Sequence, residues 1–262
     1  MDFIKRLDPE LAVAFAGFAA EELSSLPRLL AVRRLEAQGT TALRANRPRI
    51  DGVVFEDREI SSADGSSKIA LRLYRPSGRS EPLPALLWLH GGGYLLGNIE
   101  SDYLLCSQIA RDLDCVVLAV DYRLAPEHPY PAAFDDARAA LAWLYAQADA
   151  LGALRTRIAI GGASAGGGLA ACLALLNRDR GGIELALQLL IYPMLDDRNR
   201  TPSSYAITDG RVWDRAKNLY GWRSYLGDAS GGEQVSHYAA AARTQDLSGL
   251  PPSYVAVGSL DL

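Results

Sequence analysis

Two short segments of the 262-residue chain carry residue types and spacings suited to chemistry at a carbonyl carbon. The first is Gly162-Ala163-Ser164-Ala165-Gly166, which follows the apolar run 158–160 and precedes a helical pattern over 167–177. A G-x-S-x-G match is weak alone, but strand, sharp turn and helix together form the context in which a serine hydroxyl is raised above a sheet. A serine at such a turn sits in strained backbone. Gly162 and Gly166, two positions either side, remove the Cβ atoms that would clash with neighbouring chain, and the following helix aims its positive end at any anion formed there. A glycine-rich helix start can instead pack closely or bind phosphate, although the Gly-Lys-Ser/Thr of a P-loop is absent.

The second segment is His90-Gly91-Gly92-Gly93, directly after the apolar run 85–89. Three consecutive glycines cost chain entropy, which makes sense if backbone N–H groups must approach a ligand closely. A serine that attacks a carbonyl needs such donors, because the carbonyl oxygen becomes an alkoxide in the tetrahedral intermediate. Gly92, Gly93 and Ala165 are the expected donors, and a merely flexible loop is the plain alternative. His90 belongs to the turn and is expected to fix the loop by hydrogen bonds, not to act as a base.

The elements that position these segments follow from periodicity. The runs 85–89, 116–120, 158–160 and 185–191 are short and almost purely apolar, as for strands covered on both faces. Ile69, Leu71 and Leu73 alternate with Ala70, Arg72 and Tyr74, which predicts a half-exposed strand. Leu105, Ile109 and Leu113 recur at four-residue steps with Ser101 placed to cap them. Pro131 opens a helix over 132–147, where its missing N–H costs nothing. A helix over about 209–226 precedes a last strand at 254–257. Strands alternating with helices indicate a mostly parallel sheet in an α/β domain. Before this, Leu11, Phe15, Phe18, Leu26, Leu29 and Leu30 fall at helical steps, and 44–49 reads as a connector. The expected organisation is a helical cap segment over 1–50 and a catalytic domain over 51–262.

Composition excludes several classes. With 27 basic and 31 acidic side chains the net charge is −4, and no Lys/Arg run is present, which argues against a nucleic-acid groove or an anionic membrane surface. Three cysteines without a CxxC pair and three histidines without a cluster speak against a disulfide framework or a zinc site. The apolar stretch 11–20 is too short to span a bilayer. It follows Lys5 and Arg6, but Asp8, Pro9 and Glu10 interrupt a leader pattern, so a cytoplasmic setting is expected.

With both motifs in hand, the chain resembles the hormone-sensitive-lipase-like branch of the α/β-hydrolases, the microbial carboxylesterases. The similar segments are 90–97, Asp121-Tyr122-Arg123-Leu124-Ala125-Pro126-Glu127-His128-Pro129, 162–167 and Leu247-Ser248-Gly249-Leu250-Pro251-Pro252. The resemblance implies an eight-stranded sheet, a helical cap drawn partly from the N-terminus, no metal or organic cofactor, and hydrolysis of short- to medium-chain acyl esters. It assigns Ser164 as nucleophile, Gly92, Gly93 and Ala165 as oxyanion donors, and Asp261 as the triad acid, with His90, Gly91, Gly162 and Gly166 supporting the two motifs. Ala163 and Gly168 depart from the acidic residue and the asparagine common there. Arg123 and Glu127 are expected to brace their loop without touching substrate. Asp135, Asp136, Asp196 and Asp197 are expected to be solvated or capping. The aromatic residues of 212–225 either line a cap or simply pack.

The triad order of this fold places the histidine after the acid, and Asp261 is the penultimate residue. His237 lies upstream of it and His128 sits in the proline-rich loop, so neither is expected to serve. Three readings stay open: a C-terminally shortened esterase lacking its last strand and helix, which is favoured; a ligand-binding protein on the same scaffold, as with the plant gibberellin receptors, which resemble this family and lack the histidine; and a chain whose missing elements come from a partner. A sheet ending at 254–257 would expose an apolar edge and invite homo-oligomerisation.

Overall fold

A computed structural model describes residues 6–18, 20 and 22–262; Lys5, part of the leader-like start, lies outside them. In chain order the elements are α1 (Pro9–Ala16), α2 (Leu26–Ala45), β1 (Val53–Ser61), β2 (Lys68–Pro76), β3 (Leu83–Leu89), α3 (Tyr103–Asp112), β4 (Val116–Asp121), α4 (Ala132–Gln147), β5 (Ala153–Ala163), α5 (Ala165–Asp179), β6 (Leu187–Ile191), α6 (Pro202–Ala206), α7 (Arg215–Leu226) and β7 (Ser253–Ala256). The seven described strands form one sheet in the order β1-β2-β4-β3-β5-β6-β7. β1 and β2 pair antiparallel, β2 pairs antiparallel with β4, and the remaining pairs are parallel.

β3 lies at the centre because both its faces are apolar. Ala85, Leu87 and Leu89 point into a core shared with α4 and α5, while Leu86 and Trp88 join Tyr74, Tyr103 and Cys106 on the α3 side. Parallel strands leave their carboxyl ends on one edge, so the loops after β3, β4 and β5 emerge together there. At the outer side, β7 exposes Tyr254 and Val255.

Several expectations need correction. β2 is not half-exposed: Arg72 and Tyr74 are as buried as the leucines beside them. Arg72 donates through Nε and Nη2 to Asp57 at 2.6 and 2.8 Å and through Nη1 to Glu100 at 2.8 Å. Arg44 and Arg47 bring α2 and its connector onto the same Glu100 carboxylate. The antiparallel β1, which no periodicity announced, supplies Asp57. In α3 the buried face is Tyr103, Cys106, Ser107 and Ala110, while Leu105 and Leu113 are exposed. Asp102, not Ser101, stands at its N-cap. α7 starts at Arg215 because Asp214 caps it through Lys217 N, whereas Asp209 is engaged by Arg211. Asp136 and Asp197 are fully buried, paired with Arg123 and Arg243.

Burial alone would raise the Glu100 carboxyl, but the Arg72 hydrogen bond and charge outweigh it and hold the carboxyl below its usual value. A depressed carboxylate contributes stability above its unfolded pKa that is lost as pH falls through the folded value. Glu100→Gln should therefore flatten the acid limb of the stability curve below about pH 4.5. Glu100→Ala, which leaves Arg72 with Asp57 alone, should cost roughly 3 kcal/mol in urea denaturation at neutral pH.

Candidate active site

Ser164 joins β5 to α5 with φ +53° and ψ −117°, a backbone state that costs a non-glycine residue roughly 1–3 kcal/mol. Three hydrogen bonds hold it there. Its N–H donates to Ile191 O, and its carbonyl accepts from Gly168 N and Met194 N, each at 2.9 Å. Ser164 is half-buried, and no described group hydrogen-bonds its hydroxyl. Ala165 is the first residue of the fifteen-residue α5, so the helix presents its positive end beside the hydroxyl.

Gly162 and Gly166 are required by contact. A Cβ at Gly166 would fall 2.0 Å from Leu89 O and 2.4 Å from His90 O, and one at Gly162 would fall 2.5 Å from Leu89 O. The start of α5 thus packs directly on the end of β3, and this brings the glycine loop to the serine. A Cβ at Gly91 would lie 3.5 Å from Ser164 Cβ. Gly92 and Gly93 take φ of +120° and +61°, and the Gly92 carbonyl accepts from Leu95 and Leu96 N–H.

His90 is buried behind this loop. Its Nδ1 lies 2.8 Å from Gly91 O, its ring stacks on Tyr122 at 4.2 Å, and its backbone carbonyl accepts from Tyr122 Oη. Burial pushes its pKa below the ordinary histidine value, and burial raises the neighbouring Asp121 carboxyl. Gly97 has no side chain because His90 Nδ1 occupies the space, 2.5 Å from where a Cβ would be. The 121–129 segment braces the loop: Ala125 N donates to Tyr94 O, Arg123 grips Asp136, and Glu127 pairs with Arg33 of α2. Arg33 also donates to Leu95 O and Ala125 O.

Ser164 and Asp261 line one cavity of about 220 Å³, with Tyr192, Met194, Trp213 and Trp222 among its walls. Two aromatic residues of 212–225 therefore face it, while Tyr225 packs by stacking on Tyr94 at 4.0 Å. Sequence reasoning missed Tyr192, Asn199 and Asn218 as wall residues. At Gly168 no side chain fits as the chain is packed, since Met194 O and Tyr94 Oη stand 2.2 and 2.7 Å from its Cβ position. No histidine lines the cavity among the described residues. His237 is half-exposed beside Asp179, 3.6 Å away at the far end of α5, and fifteen helical residues separate that end from Ser164 by about 20 Å.

A serine at a positive-φ strand-to-helix turn, beside a glycine loop at the carboxyl edge of a mostly parallel sheet, is the arrangement found in α/β-hydrolase folds. The chain belongs to the α/β hydrolase fold family, whose model matches residues 86–262, and sits on its hormone-sensitive-lipase-like branch. It is 39% identical over 208 residues to the carboxylic ester hydrolase LipN of Mycobacterium tuberculosis, covering 78% of this chain and 55% of that protein. With the ethyl acetate hydrolase of Pseudomonas putida it shares 44% identity over 154 residues, 57% of this chain and 48% of that one. The structure superposes on a bacterial heroin esterase with a TM-score of 0.91 at 39% identity, covering 98% of this chain and 81% of that chain. The chain spans little more than half the length of LipN and 65% of the carboxylesterase NlhH of the same organism.

Since Leu89 O is fixed backbone, Gly166→Ala should destabilise the protein by roughly 3 kcal/mol or more through overpacking. The expected readout is a lower denaturation midpoint at unchanged m-value.

Proposed function

We propose that the protein is a carboxylic ester hydrolase acting on short- to medium-chain acyl esters through an acyl-serine intermediate. The observation that carries this reading is the half-buried Ser164 hydroxyl, without a hydrogen-bond partner among the described residues, in the same cavity as Asp261 and against the glycine loop. Ser164 Oγ attacks the ester carbonyl carbon. The N–H groups of Gly92, Gly93 and Ala165 receive the oxyanion, the bond to the alcohol oxygen breaks, and the serine proton leaves with the alcohol. Water then attacks the acyl-serine and releases the acid. Asp261 is the carboxylate that would orient an imidazole carrying those protons.

With no histidine at the cavity among the described residues, proton transfer lacks its usual carrier. A serine hydrolase without its histidine turns over about 10⁶-fold more slowly, so these 262 residues are expected to be impaired. A second reading is a ligand-binding protein on the hydrolase scaffold.

Incubation with a fluorophosphonate, followed by peptide mass spectrometry, should give one slow adduct on Ser164 that Ser164→Ala abolishes. A folded protein with no adduct would overturn the catalytic reading. Saturable binding that survives Ser164→Ala without any turnover would mark the second.

A further inference from the structure

The cavity wall opposite α5 is built by the segment that leads into α7, and one residue of that wall rests on the glycine loop. A Cβ at Gly93 would fall 2.0 Å from Trp213 Cη2 and 2.3 Å from Cζ2, so the indole occupies the place a side chain would take. On the carbonyl side of Gly93 the α7 backbone closes in. A Cβ at Gly221 would lie 2.9 Å from Gly93 O and 3.5 Å from Trp213 Cζ2. The Gly93 residue is thereby held between an indole and a helix backbone.

The indole is itself tethered. Trp213 Nε1 donates to Asn218 Oδ1 at 3.0 Å, and Asn218 Nδ2 donates to Asn199 Oδ1. Asn218 and Asn199 are 7% and 3% exposed, and both line the cavity with Trp213 and Ser164. Asn199 holds φ +50°, a conformation asparagine tolerates better than most residues. Arg215 fixes it there by donating from Nη1 to Asn199 O at 2.9 Å. A chain of hydrogen bonds therefore runs from the loop after β6, along the cavity wall, to the ring that covers Gly93.

We propose that Trp213, Asn218 and Asn199 form a positioning relay for the oxyanion loop, in which the tethered indole keeps the Gly93 N–H aimed at the developing negative charge. The proposal rests on the reading of Gly93 as a donor. Its physical ground is that consecutive glycines have no side chains of their own to stop a peptide from rotating. An oxyanion donor contributes only when it is preorganised, and a displacement near 1 Å costs on the order of 10² in rate. From within the loop, Leu95 and Leu96 N–H hold the Gly92 carbonyl of the same peptide, and from outside it the indole packs on Gly93 and is placed to supply the second restraint.

The relay is tested on the full chain with ¹⁵N-glycine labelling. Gly93 should show an order parameter near 0.85 in the wild type and below about 0.6 in Trp213→Ala, with Gly65 unchanged. Asn218→Ala keeps the indole over Gly93 and loses its tether, and Trp213→Phe keeps a shorter ring with no tether, so both should give intermediate values, the Phe variant the lower. They also carry the test if Trp213→Ala fails to fold. The fluorophosphonate reaction of Ser164 supplies the second readout: the maximal labelling rate should fall by roughly 10–10² in Trp213→Ala and several-fold in the tether variants, with the inhibitor constant moving less than about two-fold. Unchanged Gly93 order in Trp213→Phe and Asn218→Ala overturns the relay, as does a change confined to the inhibitor constant, which would make Trp213 a wall only. A wild type that never labels overturns the reading of Ser164, and the Gly93 order parameters still decide whether the relay holds the loop.

Discussion

Three stretches of main chain meet at the carboxyl edge of the central strands with no room for a side chain between them. The end of β3, the end of β5 and the first turn of α5 touch backbone to backbone at Gly162 and Gly166, where a Cβ would sit 2.0–2.5 Å from Leu89 O. That contact makes the glycine loop and Ser164 neighbours although some seventy residues of chain separate them. It also sets the hand of the site, because α5 leaves the sheet in the direction that turns its N-terminal end toward the hydroxyl. Everything else around the cavity is arranged on a distance that these two glycines determine.

Such closeness has to be held against strain. Of the five described non-glycine residues with positive φ, Ser164, Tyr192 and Asn199 line the cavity, and a fourth, Tyr94, directly follows the glycine loop. Strained backbone persists only where surroundings over-determine it, and it clusters at working sites. Here the surroundings are identifiable. Ser164 is held on both sides of its peptide by the chain leaving β6, through Ile191 O and Met194 N, and Tyr192 N donates to Ala256 O of β7. The outer strands thus stabilise the serine turn as well as extending the sheet.

The sequence made the central machinery legible because its signals are local. A strand followed by consecutive glycines and a strand-turn-helix around a serine each fit within a short stretch of continuous chain, and the short apolar runs of the parallel core need no partner to be recognised. What was illegible depends on distant partners. Arg72 reads as an outward residue of an alternating strand, and only Asp57 and Glu100, from other parts of the chain, make its burial affordable. β1 carries no local signal because most of its residues are exposed and several are charged, and its place is set by backbone pairing with β2 and by the distant partner Arg72 of Asp57. α3 was assigned the wrong face, since small residues such as Cys106 and Ala110 pack inward while the leucines that caught the eye face solvent. At the site, the same logic hid Asn199 and Asn218, whose meaning lies in each other and in Trp213.

The glycine loop is instructive because its internal hydrogen bonds, from Leu95 and Leu96 N–H to Gly92 O, are supplemented from elsewhere. These further restraints come from three regions widely separated in sequence: Arg33 on α2 at Leu95 O, Tyr122 at His90 O and on the His90 ring, and Trp213 with α7 at Gly93. Two of these regions also lie over the mouth of the sheet, one near each end of the chain. Elements beside the cavity are therefore also elements that touch the glycine loop. On the proposed reading, a substitution at Trp213 or its tether changes how the Gly93 N–H is aligned together with what fits beside it, since one indole both walls the cavity and packs on Gly93. Access and preorganisation are coupled through shared atoms, and variation in the covering segments alters both at once.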